Sequence, residues 1–228
     1  MGVQGYAVAY AGAIDWIQNQ LPANEEIRKA FRREEKMHPV LAIRELVANA
    51  LIHQDFSITG TGPMVEIFTD RMEITNPGVP LVETLRFMDL PPKSRNEALA
   101  AFMRRINICE ERGSGIDKVV AKIEEFQLPA PNFAVLGDHT KATLFAPRDY
   151  RDMERGDRVR ACYQHSCLQW VSGKVMTNAS LRQRLGIEQS NYPMASRVIK
   201  DTLGAQLVKL MNADGTQGGA AKYVPFWA

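Results

Sequence analysis

One helix-like run, over residues 38–56, constrains this chain more than any other feature. Its polar residues Glu45, Asn49 and His53 recur every four positions, so at 3.6 residues per turn they form one stripe along a helix. An acid, an amide and an imidazole spaced about 5–6 Å apart can hold a hydrated metal ion and a reacting water. The opposite side is predicted to be a buried apolar face: Val40, Ile43, Val47, Ala50 and Leu51.

The length of 228 residues favours two domains. The stretch over residues 146–157 is charged and contains Pro147 and Gly156, which is typical of a linker. We therefore predict a first domain over residues 1–148, a linker over 149–157 and a second domain over 158–228. Because no stretch approaches the roughly 18 apolar residues of a membrane span, and the N-terminus lacks a secretory pattern, we expect a cytoplasmic protein with no membrane partner.

Charge is unevenly distributed along the chain. Residues 1–150 hold 17 Lys and Arg against 20 Asp and Glu, whereas residues 151–228 hold 11 against 6. A basic excess in the last third indicates contact with a polyanion, and solvated surface charge is an equally weighted alternative. The three cysteines match no metal-ligand spacing and are predicted to be reduced structural thiols: Cys109, Cys162 and Cys167.

Before the linker, predicted helices alternate with antiparallel strands, which indicates an α+β layer fold. Helices are expected over residues 11–20, 25–36, from 39 onward, 97–106 and 116–126, and hairpins over 64–75 and 133–145.

The second domain shows a different order of elements. Three predicted helices, over 159–171, 179–185 and 191–207, precede strands at 208–211 and 222–226 that flank a Gly-rich loop. Thr177 or Asn178 is expected to cap the short second helix. This order predicts a winged helix-turn-helix.

Five motifs carry a resemblance to a known family. RELVANALIHQDFS, DRMEITNPG, SRN, EERGSGIDKVV and LPAPNF occur in this order. Together they resemble the GHKL-type ATPase module of the RecG-related, Schlafen-associated transcriptional regulators, over residues 10–146. The resemblance implies an α+β fold with a GHKL (Bergerat-type) ATPase-like α/β sandwich, followed by the winged helix-turn-helix domain that usually accompanies it. It also implies ATP and Mg²⁺ as cofactors.

The resemblance gives a role to each matching position. Glu45 corresponds to the general base that orients the attacking water, and Asn49 to the amide that ligates Mg²⁺. Asn76 stands where catalytic members carry an aspartate that accepts a hydrogen bond from the adenine amino group. Gly78 lies where a glycine lets the chain pass close to the adenine.

The remaining implied contacts involve phosphate. Gly113, Ser114 and Gly115 are expected to present backbone N–H groups to phosphates at a helix start, and a simple helix-start turn is the alternative. Arg95 lies in the lid segment and is expected to reach a phosphate bidentately, with Ser94 capping the following helix.

Three departures from the catalytic pattern weigh against hydrolysis. Asn76 lacks the charge of the usual aspartate, Pro80 replaces a second glycine, and Ile52 replaces an acidic residue. His53 and Asp55, in the HQDF motif, are interpreted first as residues that end a helix and order the next loop, and second as members of the site.

In the second domain, residues suited to bases and phosphates occupy the outward positions of the third helix and the turn before it. They are Gln189, Ser190, Asn191, Tyr192, Ser196, Arg197 and Lys200. Backbone anchors are predicted on the preceding helix and beside the wing: Arg182, Arg184, Lys209 and Lys222. Double-stranded DNA is the favoured partner over a protein.

These observations lead to one interpretation and two alternatives. The chain is interpreted as a DNA-binding transcriptional regulator whose nucleotide-binding domain senses ATP or mediates self-association, for instance as a homodimer. The alternatives are a Mg²⁺-dependent ATP hydrolase coupled to a nucleic-acid or protein partner, and a non-catalytic scaffold with a degenerate ATPase fold.

Overall fold

The computed structural model describes residues 5–28, 31–109, 115–211 and 221–228, with the backbone alone described for 23–28 and 31–36. The chain divides into two compact units. Unit 1 is Met1–Ile123 with Pro131–Ala146, and unit 2 is Glu124–Ala130 with Pro147–Ala228. Both units combine helices with antiparallel strands, so the predicted α+β class is confirmed.

The elements of unit 1 are α1 (Gly5–Gln20), β1 (Ala23–Arg28), β2 (Phe31–Lys36), α2 (Val40–Ile52), β3 (Met64–Ile67), β4 (Arg71–Pro77), α3 (Glu97–Arg105), α4 (Gly115–Glu125), β5 (Asn132–Leu136) and β6 (His139–Phe145). A short 3₁₀ turn lies at Thr84–Arg86. The unit is built on a four-stranded antiparallel sheet with the order β3-β4-β6-β5.

The central strands β4 and β6 place apolar and polar residues on one face. Met72 and Ile74 of β4 are buried, and the next residue on that face, Asn76, is buried as well. Their partners across the ladder are Leu144, Ala142 and Thr140. Because side chains alternate along a strand, this face changes from an apolar core at Met72 to a polar floor at Asn76.

Helix α2 is buried around most of its circumference. Its seven buried residues are Ala42, Ile43, Leu46, Val47, Ala48, Ala50 and Ile52. The predicted apolar face is confirmed at Ile43, Val47 and Ala50. It is not confirmed at Val40, which lies in the first turn and is 40% exposed. Glu45, Asn49 and His53 are half-buried, so the polar stripe lies against protein rather than in bulk solvent.

The predicted helix over residues 25–36 is wrong. The chain instead forms an antiparallel hairpin of β1 and β2, in which Ala23 pairs with Lys36 and Arg28 with Phe31. Glu, Arg and Lys favour helices in isolation, but propensity is a weak prior that strand pairing overrides when it satisfies the same backbone groups.

The described residues of unit 2 form the elements α5 (Arg155–Val171), β7 (Met176–Thr177), α6 (Asn178–Arg184), α7 (Tyr192–Gly204), β8 (Val208–Leu210) and β9 (Lys222–Pro225). The strands form a three-stranded antiparallel sheet with the order β7-β9-β8. Thr177 is the residue that caps α6, since its hydroxyl accepts from the Ser180 N–H while the Ser180 hydroxyl accepts from the Thr177 N–H. The two-residue strand β7 had no signal in the sequence.

Much of the segment predicted as a linker packs within unit 2. Met153 is buried, and the guanidinium of Arg158 lies 4.3 Å from the centre of the Tyr150 ring. Helix α5 begins at Arg155, four residues earlier than expected, and Asp157 in its first turn pairs with Arg160 at 2.6 Å. The charged residues of this segment thus form local contacts with α5 instead of a solvated tether.

The three cysteines are free thiols, as predicted. Burial raises the pKa of Cys162 to about 12, which keeps this thiol protonated and unreactive. Within the described residues, none of the helices combines the length and the apolarity needed to cross a membrane.

Candidate functional site

A cavity of about 230 Å³ in unit 1 collects residues that are distant in the sequence. Its walls come from α2, β4, β6, α3, the start of α4 and the segment over residues 79–95. Six residues predicted for a site line this cavity, His53 among them only by its second interpretation: Glu45, Asn49, His53, Asn76, Arg95 and Gly115. Gly113 and Ser114 lie outside the described residues.

The first residue of α4 lies directly against the polar stripe of α2. A Cβ atom on Gly115 would lie 2.7 Å from Oε2 of Glu45 and 3.9 Å from Nδ2 of Asn49. Only glycine therefore fits at this buried position without displacing the carboxylate. The Glu45 carboxylate also lies near the N-terminal end of α4, where the helix dipole stabilises negative charge.

The oxygens of Glu45 and Asn49 have the chemistry that Mg²⁺ prefers. Among the described residues, no cluster of three or more His, Cys, Asp or Glu side chains could hold a metal ion by itself. Mg²⁺ commonly binds through one or two protein oxygens and completes its shell with water and phosphate. The donor set thus fits a hydrated Mg²⁺ that arrives with a phosphorylated ligand.

Asn76 lines the cavity at a position that is only 7% exposed. Its Nδ2 donates to the carbonyl oxygen of Pro77 at 3.2 Å, and this bond sets the orientation of the amide. With the donor used in that way, Oδ1 provides the acceptor of this side chain. The residue therefore offers a neutral acceptor at the position where the resemblance implies a charged one.

Gly78 adopts a backbone conformation that other residues rarely adopt, with φ of 109°. A Cβ atom here would lie 2.7 Å from Nη1 of Arg95 and 3.1 Å from the backbone nitrogen of Asp55. Its N–H donates to the Asp138 carbonyl at 2.7 Å. The close approach that requires glycine is thus made by protein groups, and the predicted approach to adenine stays a prediction.

Arg95 and Asn96 are bound to the end of α2 and the loop after it. The Arg95 guanidinium donates to the carbonyls of His53 at 3.3 Å and Val79 at 3.0 Å. The Asn96 amide donates to the carbonyls of Ile52 at 2.8 Å and Gln54 at 2.7 Å. Carbonyls left without partners where a helix ends are satisfied in this way.

The residue at the N-cap of α3 is Asn96 and not the predicted Ser94. The Ser94 hydroxyl instead accepts from the Asn96 N–H at 3.2 Å, within the turn that leads into the helix. Because α3 begins at Glu97, Ser94 is two residues too early to cap it.

His53 and Asp55 of the HQDF motif differ in their surroundings. The backbone N–H of His53 donates to the Asn49 carbonyl at 2.9 Å at the end of α2, and the residue also lines the cavity, so both interpretations of His53 stay predictions. Burial lowers the pKa of the imidazole, with Arg95 adding to the effect. The Asp55 carboxylate accepts from the Ser57 hydroxyl at 2.6 Å and from the Ser57 N–H at 3.0 Å, which lowers its pKa.

Three cavity residues with basic or thiol side chains were not predicted for a site: Lys93, Arg104 and Cys109. The sequence carried one partial signal for Arg104: it follows Ala100 by four positions in the predicted helix, so the two share a helix face. That this face lies at the end of α2, where Ala100 packs beside Ile52, is seen only in the structure.

In unit 2, the predicted contact residues of α7 and its preceding turn are all exposed: Gln189, Ser190, Asn191, Tyr192, Ser196, Arg197 and Lys200. Lys209 and Lys222 are exposed as well. Arg182 is half-buried, and its Nε donates to Oδ1 of Asn178 at 3.0 Å. The Asn178 amide in turn donates to the Ser196 hydroxyl at 2.9 Å, which links α6 to α7.

The prediction of Arg184 as a DNA backbone anchor is corrected by its burial. The residue is 4% exposed, and Nη2 donates to the Leu128 carbonyl at 2.7 Å. Its Nε lies 3.3 Å from Oε1 of Glu124, whose other oxygen lies 2.9 Å from Nδ1 of His165. Burial lowers the pKa of Arg184, and Glu124 opposes that shift. A guanidinium committed to this interior cluster is not available to a phosphate in solvent.

Unit 1 is an α+β domain in which α2 packs on an antiparallel sheet beside a cavity lined by acid, amide and glycine residues. Residues 60–144 match the family model described as "Putative ATP-dependent DNA helicase recG C-terminal", so this part of the chain is similar to a HATPase-like domain. The match includes Asn76, Gly78 and Arg95, whereas the stripe of α2 precedes it.

A crystal structure of the DIP2311 protein from Corynebacterium diphtheriae has a similar fold, with a TM-score of 0.58 and 16% sequence identity. The similarity covers 96% of this chain, which spans 45% of that chain. At this identity the likeness concerns the fold alone. The comparison with curated proteins gave no match.

Proposed function

We propose that this chain is a DNA-binding transcriptional regulator whose HATPase-like domain binds ATP with Mg²⁺ as a sensor. The observation that carries the nucleotide part is the cavity of unit 1, because Glu45 and Asn49 of α2, Asn76 of β4 and Gly115 of α4 come from three separate segments and meet there. Acid, amide and backbone groups that converge in one concave site are the usual mark of a small-molecule site.

Each cavity residue has a role that suits its chemistry. The Oδ1 acceptor of Asn76 receives a hydrogen bond from the adenine amino group, and the amide oxygen of Asn49 binds the metal ion. Mg²⁺ held by the Asn49 oxygen would neutralise phosphate charge. Glu45 orients a water molecule and accepts its proton. Gly115, the first residue of α4, adds a backbone donor, and the phosphate contacts of Gly113 and Ser114 stay predictions from the sequence.

ATP hydrolysis is a second candidate, because Glu45 keeps the position of a general base. Asn76 weighs toward sensing, since a neutral acceptor binds the adenine amino group less strongly than a carboxylate does. Slow or absent turnover is compatible with a sensor, whose output depends on occupancy. A degenerate domain used only for assembly, for instance in a homodimer, remains the third alternative.

For unit 2 we propose a winged helix-turn-helix that binds double-stranded DNA. The support is the order α5, β7, α6, α7, β8, β9 together with the sheet order β7-β9-β8. In this proposal, α7 enters the major groove with its exposed polar residues, and Lys209 and Lys222 reach the backbone beside the wing.

Thermal unfolding with and without Mg-ATP tests the nucleotide part. A ligand at 100 times its dissociation constant stabilises the folded state by about 2.7 kcal/mol. We expect a shift for wild-type protein that is reduced in Asn49→Ala, while Glu45→Ala keeps much of the binding and loses any phosphate release. No shift at millimolar Mg-ATP would refute the sensor and leave the scaffold.

Salt dependence tests the DNA part. Binding to duplex DNA should weaken with a log–log slope of about −0.9 for each phosphate neutralised. Binding that is undetectable, or that does not respond to salt, would refute it.

A further inference from the structure

Three basic side chains line the cavity of unit 1, and their surroundings differ. They are Lys93, Arg95 and Arg104. Lys93 is exposed, whereas Arg95 and Arg104 are half-buried. A nucleoside triphosphate brings several negative charges into a site that already holds Glu45, so a basic side chain that faces the phosphates adds to the neutralisation that Mg²⁺ supplies. The question is which of the three does so.

Arg95 is engaged by protein groups along its whole guanidinium. Nη1 donates to His53 O, Nη2 donates to Val79 O, and Nε lies 3.5 Å from the Asp55 carboxylate. A side chain at position 78 would displace Nη1, which explains the glycine there. Arginine suits this task because its planar fork bridges several acceptors at once.

The bond from Arg95 to Val79 joins the two ends of one segment. Residues 79–95 leave the sheet after β4 and return just before α3. Seven apolar residues of this segment form one wall of the cavity: Pro80, Leu81, Val82, Phe87, Leu90, Pro91 and Pro92. Arg95 therefore closes the base of a loop that forms the wall. Asn96 fixes the same base to the end of α2.

Arg104 is placed differently, on the regular helix α3. It follows Ala100 by four residues, and both line the cavity. Ala100 is 3% exposed and belongs to the apolar cluster with Ile52 and Met103, so this face of α3 is held rigidly. The next residue, Arg105, is exposed and does not line the cavity.

We propose that Arg104 is the phosphate-binding cation of the cavity, and that Arg95 is a positioning residue that clasps the 79–95 wall. This assignment rests on the proposed nucleotide function and differs from the phosphate contact that the sequence implied for Arg95. The ligand class is a nucleoside polyphosphate. Its terminal phosphates meet Arg104, and the wall held by Arg95 contacts the whole ligand.

Affinities for ATP and for AMP, each with Mg²⁺, separate the two roles. Arg104→Gln should lower ATP affinity about ten-fold and AMP affinity much less, because a charge-assisted hydrogen bond to the terminal phosphates is lost. Arg105→Gln is the matched control, with the same charge removed from the adjacent residue of the same helix. It should leave both affinities unchanged.

Arg95→Lys keeps the charge and removes the fork. If Arg95 is the clasp, this variant should lower the ATP and AMP affinities by the same factor and speed limited proteolysis within residues 79–95. Circular dichroism shows whether Arg104→Gln folds. If it does not, Arg104→Lys should still lower the ratio of ATP affinity to AMP affinity, because the fork is lost while the charge is kept.

The possible failures are distinct. An unchanged ATP-to-AMP ratio in the Arg104 variants, or a loss confined to ATP in Arg95→Lys, would overturn the division of roles while leaving nucleotide binding intact. Wild-type protein that binds neither nucleotide would overturn the proposed function itself.

Discussion

The cavity of unit 1 and the exposed face of α7 in unit 2 both carry polar residues, but they use them in opposite ways. In the cavity, Asn76 and Arg95 are wholly or partly buried and bonded to backbone groups. On α7, Arg197 and Lys200 are exposed. A buried polar group must satisfy its partners to be tolerated, whereas an exposed one is satisfied by water. Substitutions in the first region should therefore alter stability, and those in the second should alter binding alone.

The largest expected effect is at Arg184. The sequence predicted this residue as an exposed DNA anchor, whereas the structure shows it to be buried. Arg184→Ala leaves Glu124 in the interior without its guanidinium partner, so we expect unit 2 to lose about 3 kcal/mol of unfolding free energy. Arg182→Ala, on the same helix and half-buried, should cost about 1 kcal/mol or less. Chemical denaturation measures both. Equal costs would show that the Arg184 cluster is not the stabilising feature.

The next effect concerns the clasp. Gly78→Ala places a Cβ atom 2.7 Å from the Arg95 guanidinium at a φ of 109°, so we expect a loss of about 2–3 kcal/mol in unit 1. Gly137→Ala is the control, because Gly137 also has positive φ, 59°, but nothing lies within 4 Å of its Cβ position. It should cost about 1 kcal/mol. If the two variants lose the same unfolding free energy, backbone strain alone accounts for the glycine at position 78, and the contact with Arg95 does not.

A third effect depends on pH. Burial lowers the pKa of His38 from 6.5 to about 4, and neither ring nitrogen is hydrogen-bonded among the described side chains. The unfolded chain binds the proton more tightly, so this stabilising contribution is complete above pH 6.5 and is lost as pH falls toward 4. Between pH 7 and pH 5, the unfolding free energy of wild-type protein should therefore fall by about 1–2 kcal/mol more than that of His38→Phe.

The paired comparison is needed because Asp117 has the opposite dependence. Burial raises the pKa of Asp117 to about 6, so its contribution is present at low pH and is lost as pH rises to 6. Asp117 is present in both proteins, so its contribution cancels in the difference between the unfolding free energies of wild type and His38→Phe. A difference that does not vary between pH 5 and pH 7 would mean that the His38 site admits water.

The smallest effect on stability is expected on the α7 face. Arg197→Gln and Lys200→Gln should each change the unfolding free energy by less than about 0.5 kcal/mol. Each should also weaken DNA binding and reduce the salt slope by about 0.9 for the phosphate contact removed. Lys174→Gln, an exposed lysine in the turn between α5 and β7, is the control for net charge. An equal loss of DNA affinity in that control would mean that binding depends on net charge and not on contacts of α7.

Features that depend on near neighbours could be predicted from the sequence. The period of Glu45, Asn49 and His53 identified α2 and its stripe, and Thr177 was one of two candidates for the cap of α6. The hairpins that contain β3 and β4, and β5 and β6, also follow the predicted segments. Periodicity, caps and hairpin turns involve residues within a few positions of one another, so local pattern is sufficient to specify them.

By itself, then, the sequence determined the α+β class, the polar stripe and most of the helices and strands. The tertiary structure alone decided that residues 25–36 pair as strands, that Arg184 is interior, and that the fork of Arg95 is bonded to His53 and Val79. The physical reason is that an arginine has the same local signature whether it meets a phosphate, a carbonyl or water. Which of these it meets depends on the residues that folding brings beside it from distant parts of the chain.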